Sequence, residues 1–309
     1  MKKIKFVLMA VVAAILVSCG TTRTVPITGR KQTLLVSDEQ VLSLSNQEYT
    51  SFMKTAKVST NSTNTAMVKR VGQKLATAVQ NYLTNNNLAS EISNFSWEFN
   101  LVQNTEANAF CMPGGKIVVY EGLLPYTQNE ASLAIVLGHE IAHAVAKHSA
   151  EQMSKQIKNQ YGTQILGGVL SAAGVGSTTT QLAQIIAQKG LQFRSLKYSR
   201  DNETEADHMG LIFAAMAGYD PSVAVDFWQR MSQSSSNSNQ SDMFSDHPSD
   251  AKRIAAIKQE LPEAQAYYKA ATKTTTSTAK KTTTTKKTTT TKKATTKKTT
   301  TTKKTTTKK

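Results

Sequence analysis

Apolar residues recur along this chain in two periods, and the changes between them mark out its elements. Val68, Val71, Leu75 and Val79 return every three to four positions, which predicts a helix from about 66 to 83 with one buried face. Ser37-Asp38-Glu39-Gln40 reads as an N-cap with acids in the first turn, opening a helix to about Lys57. Trp97 to Val102 alternates as a half-buried strand does, and Lys116 to Tyr120 reads as a second strand. Pro113-Gly114-Gly115 between them is a turn signal. From Asn129 to about His148 the pattern is apolar on nearly every side, so that helix belongs in the middle of a domain. Further helices are expected at about 152–170, 180–196, 202–217, 222–232 and 249–259, with a Gly-rich mobile loop over 171–180 and a polar loop over 234–241. The fold class is α+β, mainly helical, with a small β-sheet and an edge strand beside the central helix.

The ends differ from the body. Lys2, Lys3 and Lys5 precede an unbroken apolar run of twelve residues, Phe6 to Val17, too short for an ordinary membrane span and suited to a signal sequence. It closes on Leu16-Val17-Ser18-Cys19-Gly20, which resembles the bacterial lipobox, where the cysteine is lipidated and becomes the new N-terminus. An uncleaved anchor or an ordinary signal peptide is the alternative. Lipidation at Cys19 leaves Cys111 without an intramolecular partner, so no disulfide is expected. The domains are therefore a signal peptide at 1–18, a lipid-anchored linker at 19–30, a globular domain at 31–272, and a disordered Lys/Thr-rich tail at 273–309. Of the 309 residues, 37 are Lys or Arg and 21 Asp or Glu, a formal charge of +16. Thirteen lysines lie in the tail and three in the signal segment, so residues 19–272 are neutral. A neutral body argues against nucleic acid as a partner, because a binding surface carries its basic residues on the fold. The tail suits a tether to anionic envelope polymers or lipids, or a plain solvated spacer.

The chemistry concentrates in His139-Glu140-Ile141-Ala142-His143. On a helix, i and i+4 share a face, so both imidazoles project to one metal ion. Glu140, about 100° round, reaches the open side of that ion and polarises a water. His, Glu and His in so apolar a helix need a compensating partner. A catalytic zinc needs a third protein ligand. The candidate lies in Asn202-Glu203-Thr204-Glu205-Ala206-Asp207-His208, where Glu203 and Asp207 again share a helical face. One can ligate while the other supports a ligand's free ring N–H. Glu205, about 200° from Glu203, is expected in solvent. An acidic helix N-terminus satisfying its own dipole is the competing account of Asp201 and Glu203.

His139-Glu140-x-x-His143 with Glu203-x-x-Ala206-Asp207 resembles the M48 family of zinc metallopeptidases, the gluzincins. Thr28-Gly29-Arg30, Asn108 to Gly115, Glu121 to Leu124, Asp246-His247-Pro248-Ser249 and Arg253-Ile254 extend the resemblance over about 25–260, toward the family's periplasmic branch. The resemblance implies a zincin-like metallopeptidase fold and one zinc ion per chain. It implies His139, His143 and Glu203 as ligands, Glu140 as the catalytic acid and base, and Asp207 as the support behind a ligand. Two features of relatives, transmembrane helices and a C-terminal helical repeat domain, have no counterpart here.

Beyond the ligands, His247 is assigned either to the oxyanion or to reversible ligation of the metal, with a helix cap before Ser249 as the bland alternative. His148 and His208 are expected to be structural, with His148 pointing off the metal face. Cys111 is expected to be a small buried hydrophobe. The strand Lys116, Ile117, Val118, Val119 and Tyr120 is expected to be the edge on which an extended substrate adds by backbone pairing. The segment 167–180 is a candidate lid. Together these predict a lipid-anchored endopeptidase of the bacterial envelope, facing the periplasm and closer in type to outer-membrane lipoproteins, that cleaves unfolded or flexible envelope polypeptides. A non-proteolytic chaperone with a structural metal is the alternative. The intact Glu140 speaks against it, since a structural metal needs no carboxylate beside its open position.

Overall fold

The computed structural model describes residues 21–166, 193–235 and 251–290. Strand β1 (Thr21–Thr24) pairs antiparallel with β2 (Lys31–Leu34), and the turn between them closes with Val25 N–H on Arg30 O at 2.8 Å. Val25 is buried in the main core. Residues 21–30 thus belong to the folded body, which corrects the linker expected there. A threonine-rich strand with one polar face reads as linker until its partner strand is known.

Helix α1 (Asp38–Thr55) opens on a capping box, in which Gln40 N–H donates to Ser37 Oγ and Ser37 N–H to Gln40 Oε1. Helix α2 (Ser62–Asn85) buries Val68, Val71, Leu75 and Val79, as their spacing predicts. The sheet that follows contains β3 (Glu98–Val102), β4 (Ala109–Met112) and β5 (Lys116–Tyr120) in the order β3-β5-β4. β3 runs parallel to β5 and β4 antiparallel to it, with Phe99 and Cys111 both level with Ile117. Lys116 to Tyr120 is therefore the central strand, which overturns its assignment as the edge. All five of its residues are buried, Lys116 included, whose ammonium donates to Ser96 O at 2.8 Å and pairs with Glu98. The edge next to the metal-motif helix is β4.

That helix, α3 (Glu130–Val145), is capped by Asn129 and is buried almost throughout. It packs against β4 on one side and against α2 and α5 (Arg200–Met216) on others. The continuous helix expected through His148 breaks at Lys147, which takes a left-handed φ of 57°. Its ammonium is held by Asp38 at 2.8 Å and Glu91 at 2.7 Å. Those ion pairs hold a backbone state that a lysine seldom adopts alone, and α4 (His148–Leu166) begins directly after it. Helices α6 (Val223–Ser235) and α7 (Ala251–Thr290) complete the body, with α7 lying over α5. α7 continues into the Lys/Thr-rich segment as far as Thr290, where disorder is expected from 273. Extending an already packed helix needs no new nucleus. Among the described residues, no helix is long and apolar enough to cross a membrane.

Candidate metal centre

The i, i+4 spacing on α3 places His139 and His143 side by side, with their Nε2 atoms 3.1 Å apart. Ser199 caps α5 and aims its first turn at them. Glu203 in that turn brings one carboxylate oxygen to 3.5 Å from His139 Nε2 and the other to 3.3 Å from His143 Nε2. All three side chains are buried. Among the described residues they form the one cluster of histidine, cysteine and carboxylate groups able to hold a metal ion. Donors about 2.0–2.2 Å from a tetrahedral centre lie about 3.3–3.6 Å from one another; both distances to Glu203 match this, and the two imidazoles at 3.1 Å stand slightly closer.

The electrostatics agree. Burial lowers the affinity of His139 for a proton, but the Asp207 and Glu203 carboxylates more than reverse that and push its pKa up to about 9. Burial holds His143 well below its usual range, with Glu203 opposing. A pocket that favours a proton on one imidazole favours a metal ion in its place. Behind His139, Nδ1 donates to Asp207 at 2.9 Å, and Asp207 is gripped by Arg253 of α7 through two bonds of 2.7 Å. Burial raises the Asp207 carboxyl, and Arg253 and His139 outweigh it, so the group stays ionised. Arg253 in turn stacks 3.6 Å from the Trp228 ring of α6.

Glu140 is buried beside this centre, within electrostatic reach of Cys111, Tyr198 and Arg253. The buried Cys111 thiol is pushed well above its usual range by burial, with Glu140 adding to it, so it stays neutral. Tyr198 stacks on His143 with ring centres 4.1 Å apart and shares a hydrogen bond of 2.9 Å with Ser149.

A sequence model of peptidase family M48 matches residues 62–261, which takes in α2 through the part of α7 that carries Arg253. The chain belongs to peptidase family M48. It is 39% identical over 177 residues to "Mitochondrial metalloendopeptidase OMA1" of Schizosaccharomyces pombe, covering 57% of this chain and 50% of the relative. It is 32% identical over 245 residues to the human "Metalloendopeptidase OMA1, mitochondrial", covering 77% and 46%. It is 32% identical over 167 residues to the "Beta-barrel assembly-enhancing protease" of Escherichia coli O157:H7, covering 52% and 33%. The chain thus spans a third to a half of the length of these relatives.

Within this M48 domain two expectations need correction. Glu205 is buried rather than solvated, because the face opposite Glu203 meets the N-terminal hairpin: Arg30 binds both its oxygens at 2.9 and 3.0 Å, and Thr28 donates to it at 2.6 Å. His148 does not point away from the site. The break at Lys147 turns it back so that its Nδ1 lies 2.8 Å from His143 Nδ1. His208 faces Glu260 and Glu263 of α7 at 3.7 Å, away from the metal donors. Cys19, His247 and the segments 167–180 and 236–241 lie outside the described residues. Sequence reasoning passed over Arg30, Tyr198 and Arg253 as members of this centre. The signal for Arg253 was present, since a buried Asp207 requires a cation.

The M48 domain should also carry an acid-sensitive lock. Arg30 bridges Glu205 and Glu151, reaching the latter at 2.8 and 3.1 Å. Burial raises both carboxyls, but hydrogen bonds from His148 and Arg30 on Glu205, and from Arg30 and Lys155 on Glu151, bring each to about 2 from the ordinary 4.5. A depressed folded-state pKa contributes stability above the unfolded value that disappears as pH falls through the folded one. Denaturant midpoints measured from pH 7 to pH 2 should drop between about 4.5 and 2. Glu151→Gln should be less stable at pH 7 and lose less across that window. An equal loss in both proteins would show that the lock contributes nothing.

Proposed function

We propose that this chain is a zinc-dependent endopeptidase of the bacterial cell envelope, anchored through lipid on Cys19, that cleaves misfolded or unassembled envelope proteins. The observation that carries the reading is the convergence of His139, His143 and Glu203, whose donor atoms all lie within 4.8 Å of one another, beside the buried Glu140. The family match supports peptide hydrolysis, and the names of the bacterial relatives support the envelope. His139, His143 and Glu203 would hold zinc, which when bound supplies a Lewis acid that polarises water and the scissile carbonyl. Glu140 takes the proton of the attacking water on a carboxylate oxygen and hands it to the leaving nitrogen. Asp207, fixed by Arg253, keeps the His139 proton on Nδ1 and so leaves Nε2 as a donor to metal. His247 keeps both of its proposed roles, the oxyanion or reversible ligation of the metal.

The outer edge of β4, Ala109–Met112, which has no second strand among the described residues, takes the place of the central strand as the rail for an extended substrate. It packs against α3, and among the described residues it pairs with β5 alone. Backbone pairing reads main chain more than side chain, which suits unfolded segments of varied sequence.

The test is turnover of an unfolded substrate such as casein by the purified chain, with chelator and after zinc is restored. Chelation should stop turnover and zinc should return it, with about one zinc per chain by elemental analysis. Glu203→Ala should retain far less zinc than the wild type. Turnover that persists after complete metal removal would end the metallopeptidase reading, and full zinc retention in Glu203→Ala would show that another group is the third ligand.

A further inference from the structure

His148, Glu205 and Arg30 take no part in the chemistry assigned to Glu140 and the three donors, yet they form a chain that ends on His143. Its Nδ1 lies 2.8 Å from His148 Nδ1, and His148 Nε2 lies 2.8 Å from Glu205 Oε2. Glu205 is then clamped by Arg30 and Thr28 from the turn between β1 and β2. His148 is fully buried, as close to hidden as His143 itself.

The donor and acceptor roles along this chain are determined in one direction. A histidine that binds metal through Nε2 carries its proton on Nδ1, and that N–H needs an acceptor. For His139 the acceptor is the Asp207 carboxylate. For His143 the facing atom is a ring nitrogen, which accepts only if His148 keeps its own proton on Nε2. That N–H then requires an acceptor, and Glu205 Oε2, 2.8 Å away on a carboxylate that Arg30 holds in place, is one. Reversing any link sets two N–H groups, or two lone pairs, against each other.

We propose that His148 is the positioning residue for the metal ligand His143, and that Arg30 of the N-terminal hairpin, acting through Glu205, sets the tautomer in which His148 can do this. The inference rests on the metal reading above. The two histidine ligands are thereby locked from opposite ends of the fold, His139 by Arg253 of α7 and His143 by Arg30, 223 positions earlier in the chain. Metal retention then depends on the N-terminal hairpin being seated, although the hairpin supplies no ligand.

The measurement is zinc affinity by competition with a chromophoric chelator, beside melting curves of the metal-free proteins. His148→Ala should bind zinc about 10–100-fold more weakly than the wild type. His148→Gln, whose amide can accept from His143 and donate to Glu205, should recover part of that loss, and it carries the test if the alanine variant does not fold. Arg30→Ala should weaken zinc binding, and adding it to His148→Ala should cost little more, because the chain is already cut. Unchanged affinity in folded His148→Ala, or in folded His148→Gln where only that variant folds, would overturn the proposal, as would additive losses. A role confined to packing would lower the metal-free melting temperature and leave affinity untouched. Absence of zinc from the wild type would instead overturn the metal reading and this inference with it.

Discussion

Glu140→Gln is expected to reduce kcat on an unfolded substrate by about 10²–10⁴-fold, the range lost when a positioned acid–base group is removed. Zinc content should stay at the wild-type level. The expectation follows from position. Glu140 precedes Ile141 and Ala142 on the same turn as His139, so its carboxylate is carried beside the donors without being one of the three that converge. Glutamine matches its volume, so the fit of the side chain beside Cys111 and Tyr198 is preserved while the proton acceptor is lost. KM should change little, because the carboxylate acts on the water rather than on substrate binding. The check is steady-state kinetics and elemental analysis on the same preparation. Undiminished turnover would remove Glu140 from the mechanism, and turnover lost together with zinc would mean that the substitution had damaged the metal site.

The sequence is most informative where one helix carries its own logic. Two histidines at i and i+4 in an all-apolar helix demand a partner, and Glu203 with Asp207, at the same spacing on another helix, answers the demand. Contacts between distant segments were harder to read. Glu205 follows the helical rule correctly, lying on the far side of α5 from Glu203, but periodicity cannot say that the far side is covered by Arg30 and Thr28. The turn of His148 back to His143 depends on a left-handed Lys147, stabilised by Asp38 and Glu91. No local signal marks it, since lysine has no preference for that conformation. Strand β4 has no alternation to detect because all four of its residues are buried. The place of β5 between the Pro113-Gly114-Gly115 turn and the metal-motif helix does not reveal that β3 and β4 flank it on both sides.

Gly210→Ala should be among the most destabilising single-methyl changes in the domain. Helices α3 and α5 cross where Gly138 meets Gly210, and a Cβ built on Gly210 would lie 2.7 Å from the His139 amide nitrogen and 2.9 Å from the Gly138 carbonyl carbon. Both obstacles are backbone, so no rotamer change relieves the overlap. Overpacking of this kind costs about 3 kcal/mol, which for a domain of this size lowers Tm by roughly 6–12 °C. The reciprocal Gly138→Ala, whose Cβ would lie 2.7 Å from Gly210 O, should behave alike. The close crossing also sets the metal centre, because it lets Glu203 reach both imidazoles and lets the shorter Asp207 reach His139 Nδ1. Forcing the helices apart by even a few tenths of an ångström should therefore weaken zinc binding as well as the fold. Thermal melting with and without zinc separates the effects: the Tm of the metal-free variant should fall, and the increment that zinc adds should shrink. A variant with wild-type Tm in both conditions would show that the two helices do not approach as closely as their glycines permit.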